Sequence, residues 1–203
     1  MTNTLPPAPA FGAPLPATPR PAVLDFLATR RSASAATLAE PAPSAGEVAD
    51  LLRLATRVPD HGKLAPWRFI LLEAGPKAAY AARLEALALA RGDARAAVKL
   101  AKLKVPPLGI AVISHPAPGE IPEWEQLMSA GAVATTLLYA ALAMGYGANW
   151  ITDWYAYDPE ALAILGLEPG ERVAGFIFLG TPREPPLERE RADPATLTTA
   201  WRP

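Results

Sequence analysis

The chain contains no cysteine, which excludes disulfide bonding, thiolate nucleophiles and cysteine-ligated metal at once. It has only two histidines, His61 and His115. Neither has a second nitrogen or a carboxylate at ligand spacing around it, so no metal centre is expected. Excess charge is missing too: 19 Lys and Arg against 20 Asp and Glu leave a net charge of −1 and a pI of about 6.1. Without a basic run there is no electrostatic footprint for phosphate backbones, and nucleic acid is not an expected partner. No GxGxxG or GxxxxGK[ST] loop and no Gly-x-Ser-x-Gly elbow appears. Gly145-Tyr146-Gly147 lacks the preceding strand and following helix that a phosphate loop needs. Glu123 and Glu125 suit a helix start better than paired acid–base catalysis. The N-terminus lacks the basic-then-apolar order of a signal peptide, so the expected compartment is the cytoplasm.

What is present is apolar: 51% of 203 residues are hydrophobic, enough for one substantial core. From Gln126 to Thr152, 27 consecutive residues contain no Asp, Glu, Lys, Arg or His. Pro122, Glu123 and Glu125 mark a helix start, and Gly145 and Gly147 mark its end near Met144. Its apolar residues lie all round, which predicts burial on every side. About 20 apolar residues would span a bilayer. The flanks, however, are acidic (Glu123, Glu125, Asp153), and no Lys or Arg cluster sets an orientation. Ala130/Ala134 and Ala141/Gly145 have the small-xxx-small spacing of closely approaching helices. The favoured reading is the central helix of a soluble protein with no membrane partner, one that meets its own copy in a dimer.

Around this helix the patterns alternate between helix and strand. Residues 1–21 hold seven prolines and one charge, Arg20, and read as an extended or disordered arm. A helix is predicted from Pro21 to Arg30 and a second from the capping box Ser44–Glu47 through Arg57. The polar loop PDHGKLAPW follows, then a strand at 67–72. Helices are expected over 77–90 and 94–104, the latter basic on its exposed side. A buried strand spans 108–114, an extended piece 149–152, and a capped helix lies between Asp158 and Gly166. The last strand spans 173–179. Residues 184–203 are proline-rich and charged, and are expected to lie across a partner subunit. This order predicts an α+β domain over residues 22–183.

The chemistry left over is sparse. Arg30-Arg31-Ser32 reads either as cations at a helix C-terminus or as an anion clamp. Gly180-Thr181-Pro182-Arg183 is a second phosphate-type cluster. Arg57 and His61 lie in a polar loop beside an apolar strand, where ligand contacts tend to sit. Trp150-Ile151-Thr152 forms an aromatic turn. Together these suit a phosphorylated aromatic cofactor.

Six segments, in this order and spacing, carry a resemblance: RRSAS (30–34), LAEPAPS (38–44), RVPDHGKLAPWRF (57–69), WEQLMSAGA (124–132), MGYGANW (144–150) and GFIFLGTP (175–182). The sequence resembles the FMN-dependent nitroreductase family, in its compact YdjA-type branch. The resemblance implies a nitroreductase-like α+β fold with a central mixed sheet flanked by helices. It also implies a homodimer built on the long helix, with two FMN sites between subunits. Arg30, Arg31 and Ser32 then match the segment holding the FMN phosphate and ribityl chain. Arg57 and His61 match contacts from the other chain, and Trp150, Ile151 and Thr152 match the turn beside the cofactor. Ala140, Ala141, Leu142, Ala143, Met144 and Gly145 match a stretch associated with NAD(P)H, and Arg183 is added on charge grounds. The implied function is hydride transfer from NAD(P)H through flavin N5 to a nitroaromatic, a quinone or a similar small acceptor. No protein acid or base is identified. Two positions depart from the pattern: Ala65 replaces a common Gln, and Ile151 stands where an Arg follows the Trp. They lend weight to the alternative, a non-catalytic flavin-binding protein for storage or sensing.

Overall fold

The two strongest strand signals become the middle of the sheet. In the computed structural model, which describes residues 5–203, β3 (Leu108–Ser114) and β5 (Arg172–Pro182) pair side by side. Alternation along each strand sends side chains to opposite faces. Phe176 and Phe178 of β5 join Ala111 and Ile113 of β3 in one core. Ile177 and Leu179 join Leu108, Ile110 and Val112 in the other. Burial on both faces explains why these segments read as continuous apolar runs. Beside β3 lies β2 (Trp67–Leu72), and β5 also pairs with β4 (Gly147–Ile151) and the two-residue β1 (Leu38–Ala39). Every pairing is antiparallel, where the resemblance implied a mixed sheet.

Helices cover each face. The first core packs beneath α3 (Ala74–Ala90), α4 (Ala94–Lys99), α5 (Ala101–Lys104) and α7 (Pro159–Leu165). The single helix expected over 94–104 is broken at Leu100, whose side chain is fully buried. On the other face, α2 (Ala45–Ala55) packs against the long helix α6 (Glu123–Ala143). The Ser44–Glu47 capping box is formed, and α2 ends at Ala55, two residues before the expected Arg57.

Helix α6 is long and apolar enough to cross a membrane by length and composition. Here its inner face, including Val133, Ala134, Leu137 and Ala141, is buried in the second core. Cover on every side is not found within one chain, because Trp124 and Met128 remain 66% and 64% exposed. Helix α1 (Pro21–Thr29) buries none of its residues, leaving Val23, Leu24 and Leu27 open. The described part of the proline-rich arm, from Leu5 on, precedes α1 without helix or strand, and residues 1–4 lie outside the described residues. Beyond β5 the chain makes only a 3-10 turn, Pro194–Leu197.

One buried carboxylate ties the far ends of three strands. The Glu171 side chain is only 1% exposed and accepts both Nε and Nη2 of Arg68 at 2.6 Å. It also meets Nδ1 of His115 at 2.8 Å and accepts the Glu168 backbone N–H. The fold thus brings to His115 the carboxylates Glu171 and Glu168 that sequence spacing did not show. Both Glu171 oxygens are already taken by donors, chiefly the guanidinium. That marks a structural node rather than a cation site.

The Arg68 guanidinium holds the Glu171 carboxyl at about 2, against an ordinary 4.5. A depressed folded-state value means that the stabilisation is complete above the unfolded value near 4.5. It is lost as pH falls through the folded value near 2. Glu171→Ala should therefore cost about 2–3 kcal/mol at pH 7. In denaturant titrations, the gap to wild type should narrow as pH is lowered from 4.5 toward 2. A gap that is constant over that range would show that the carboxylate's charge contributes nothing.

Candidate functional site

Helix α1 delivers Arg30 and Arg31 at its C-terminal end. The guanidinium of Arg30 lies over the Tyr139 ring of α6, 5.1 Å from the centroid, and Phe26 meets the same ring edge-on at 6.0 Å. This cation–π seat fixes a charge that would otherwise be free to swing. Arg30 Nη2 reaches Ser32 Oγ at 3.4 Å, while its Nε is buried without a partner among the described residues. Arg31 donates from Nε to the Leu187 carbonyl at 2.8 Å and lies 3.9 Å from Glu188, so the C-terminal tail closes over it. A half-buried guanidinium whose buried Nε donor is unused, beside a second arginine and a hydroxyl, has the donor set of an anion site.

Strand β4 couples this clamp to the aromatic turn. Ala33 N donates to Ala148 O at 3.1 Å, and the Asn149 side-chain amide donates back to Ala33 O. One residue further, Trp150 packs its indole over Gly175, where an added Cβ would sit 2.0 Å from the indole nitrogen. That nitrogen donates to Ala174 O at 3.2 Å. Ala174 is the residue skipped where the β3–β5 register shifts, so a bulge supplies the acceptor for the indole. Arg30–Ser32, through Ala33, and Trp150–Thr152 are therefore both tied to β4. Ile151 and Thr152 are half-buried beside them.

Arg57 and His61 lie elsewhere in the same chain. Arg57 is exposed just past α2, in a cleft of about 530 Å3 lined also by Leu5–Pro9. His61 Nδ1 sits 2.7 Å from Glu125 Oε2 at the start of α6. The loop is strained: Gly62, Lys63 and Ala65 all have positive φ, at 72°, 56° and 47°. Two of them carry side chains, for which this conformation is unfavourable. The Asp60 carboxylate holds it by accepting the backbone N–H groups of Leu64 and Ala65. From Glu125 to Tyr139 along α6 is about 20 Å at 1.5 Å per residue, so one chain keeps His61 and Arg30 toward opposite ends of this helix.

The remaining candidates divide. Arg183 lines a cleft of about 790 Å3 with Lys77, Glu85 and Lys104, apart from Arg30 and Trp150. Gly180, Thr181 and Pro182 belong to β5 rather than to a loop. In the stretch from Ala140 to Gly145, Ala140 and Ala141 are buried, Leu142 and Met144 half-buried, and Ala143 and Gly145 exposed. Sequence reasoning missed Tyr139, Asn149 and Glu125. Only Asn149 gave a signal, as a polar residue inside an apolar run.

Residues 27–181 match the Nitroreductase family. The Escherichia coli K12 protein named "Putative NAD(P)H nitroreductase YdjA" is 34% identical over 163 residues, covering 79% of this chain and 88% of that protein. Among solved structures, a nitroreductase-like family protein from Bacillus cereus superposes with a TM-score of 0.76 at 20% identity. It covers 93% of this chain and 98% of its own. A nitroreductase with bound FMN from Bacteroides fragilis gives a TM-score of 0.67 at 20% identity, covering 89% and 98%.

Gly175→Ala should unseat Trp150, lowering stability by about 1–3 kcal/mol and red-shifting tryptophan emission. In a Trp150→Ala background the same change should cost little, because the two effects share one contact. Equal costs in both backgrounds, measured by thermal unfolding, would place the strain outside the Gly175–Trp150 contact.

Proposed function

Because this chain belongs to the nitroreductase family, we propose that it is an FMN-dependent oxidoreductase. It takes electrons from NAD(P)H and reduces a small acceptor such as a nitroaromatic or a quinone. Its sites lie between two copies of the chain. The observation that carries this reading is the placement of His61, in the Arg57 loop, and Arg30 toward opposite ends of α6, which leaves Trp124 and Met128 exposed. A second copy laid along α6 in the reverse direction covers Trp124 and Met128. It also carries its Arg57 and His61 to the first copy's Arg30 and Trp150.

The residues fit the cofactor. Arg30, with its buried and unused Nε donor, takes the FMN phosphate together with Arg31 and Ser32. FMN, when bound, supplies the two-electron transfer between NAD(P)H and the acceptor. The protein's part is binding and orientation. Trp150, held by Ala174, walls the ring site, and Ile151 and Thr152 complete the turn. Arg57 and His61 of the partner copy add positive charge and a donor where a reduced, electron-rich ring needs them.

Two measurements test this. Arg30→Ala should weaken FMN by about 10- to 100-fold, the equivalent of losing a charge-assisted contact of about 1.5–3 kcal/mol. Riboflavin, which lacks the phosphate, should be almost unaffected, and equal losses would make Arg30 a helix-end cation only.

In the second measurement, Arg30→Ala chains are mixed with chains carrying Arg57→Ala and His61→Ala. A mixed dimer then holds one site with both clusters intact, and NADPH should bleach its flavin anaerobically far better than in either parent. Mixtures no better than the parents would return Arg57 and His61 to their own chain's site. A wild-type flavin that NADPH and NADH never bleach would favour a binding protein without turnover.

A further inference from the structure

Two lysines not yet given a role converge on the aromatic turn. Lys99 closes α4 and Lys102 lies in α5, and the break at buried Leu100 turns both toward β4's end. Their ammonium groups stand 4.0 and 3.5 Å from the two carboxylate oxygens of Asp153. Asp153 is only 9% exposed and is already committed, because its Oδ1 accepts the Trp154 backbone N–H at 2.8 Å. The indole of Trp154 donates to Ala96 O at 3.1 Å, which straps α4 to the turn.

These groups line an open cleft of about 570 Å3 whose other walls are Trp150, Ile151, Thr152 and Trp154. Two ammonium groups face one carboxylate, and among the described residues no further acid lines the cleft, so it carries one uncompensated positive charge. Both lysines are more than half exposed, and neither is hydrogen-bonded to Asp153. Their donors therefore remain free for an incoming anion. The other surface on offer is aromatic and flat.

We infer that this cleft sets acceptor specificity: Lys99 and Lys102 select a planar aromatic acceptor bearing a carboxylate or sulfonate, holding the anion while the ring lies against Trp150. The inference rests on the reading of Trp150–Thr152 as the cofactor turn. Reduction of a nitro group to nitroso by one NAD(P)H and one proton transfers two electrons and two protons in all, releasing water. The anionic substituent takes no part in that balance and serves only for positioning.

The test compares 4-nitrobenzoate with its neutral methyl ester, using FMN-loaded protein and NADPH. In the Lys99→Ala/Lys102→Ala double variant, kcat/KM for 4-nitrobenzoate relative to the ester should fall about ten-fold, mainly through KM. The rate of flavin reduction by NADPH should not change. Lys99→Arg/Lys102→Arg should keep the preference, and Lys102→Glu should reverse it. A separate titration needs no turnover: quenching of tryptophan fluorescence by 4-nitrobenzoate should weaken about ten-fold in Kd in the double alanine variant, with the ester unchanged. An unchanged ratio, or equal losses for anion and ester, would overturn the assignment. Should the wild type prove unreduced by NADPH, the oxidoreductase reading fails. The fluorescence titration then decides the anion site by itself, a Kd equal in wild type and variant rejecting it.

Discussion

The structure depends most on one unresolved burial. Helix α6 carries almost no charge after Glu125, yet a single chain covers only the side that packs on the sheet and α2. Trp124 and Met128 on α6, and Val23, Leu24 and Leu27 on α1, are left in water, exposed large apolar side chains of the kind that interfaces cover. The same helix also spaces the candidate site. Its N-terminal end holds His61 through Glu125, and its C-terminal half seats Arg30 on Tyr139. Burial of the helix and completion of the site are thus one requirement, if the covering element is a second copy running the other way.

Strand β4 is the second organiser. Its early residues bind the backbone after Ser32, and its end presents Trp150. It reaches both only because β5 is long enough to pair with β3, β4 and β1, and because a skipped residue at Ala174 provides an acceptor for the indole. An anion clamp and an aromatic wall more than a hundred residues apart in sequence become neighbours through ladder hydrogen bonds, which are stiffer than loop contacts.

Much of this was legible in the sequence, for identifiable reasons. Strands β2 and β3 were read with the ends they have, because continuous apolar runs between turn residues leave little latitude. The caps at Ser44 and Asp158 and the stop at Gly166 are local chemistry and were equally plain. Strand β1 was invisible: two residues have no period, and Leu38–Ala39 is extended only because the end of β5 is there to pair with it. The break at Leu100 has no Gly or Pro to announce it and follows from burying that leucine. At the site, Arg30 and Arg31 could be seen as charges, but their setting could not. Tyr139 and the Leu187 carbonyl come from remote parts of the chain. The His115–Glu171 contact failed to show for the same reason, since ligand spacing along a sequence says nothing about pairs made across a sheet.

The loop from Asp60 to Ala65 binds these strands of reasoning together. Left-handed backbone at Lys63 and Ala65 costs of order 1 kcal/mol or more each and persists only where its surroundings over-determine it. Those surroundings are visible: the Asp60 carboxylate takes two backbone donors, Glu125 holds His61, and Ser129 Oγ donates to Pro59 O at 2.6 Å. A glycine at 62 suits the loop as well, because its φ of 72° is left-handed and a Cβ there would press on the terminal methyl of Ile121. Three of the holding contacts therefore come from α6 or its approach, not from the loop's own neighbours. The element that lacks cover on its outer face is the one that shapes the loop carrying His61. Any partner that packs on α6 meets that loop already formed and has no ordering of it left to drive.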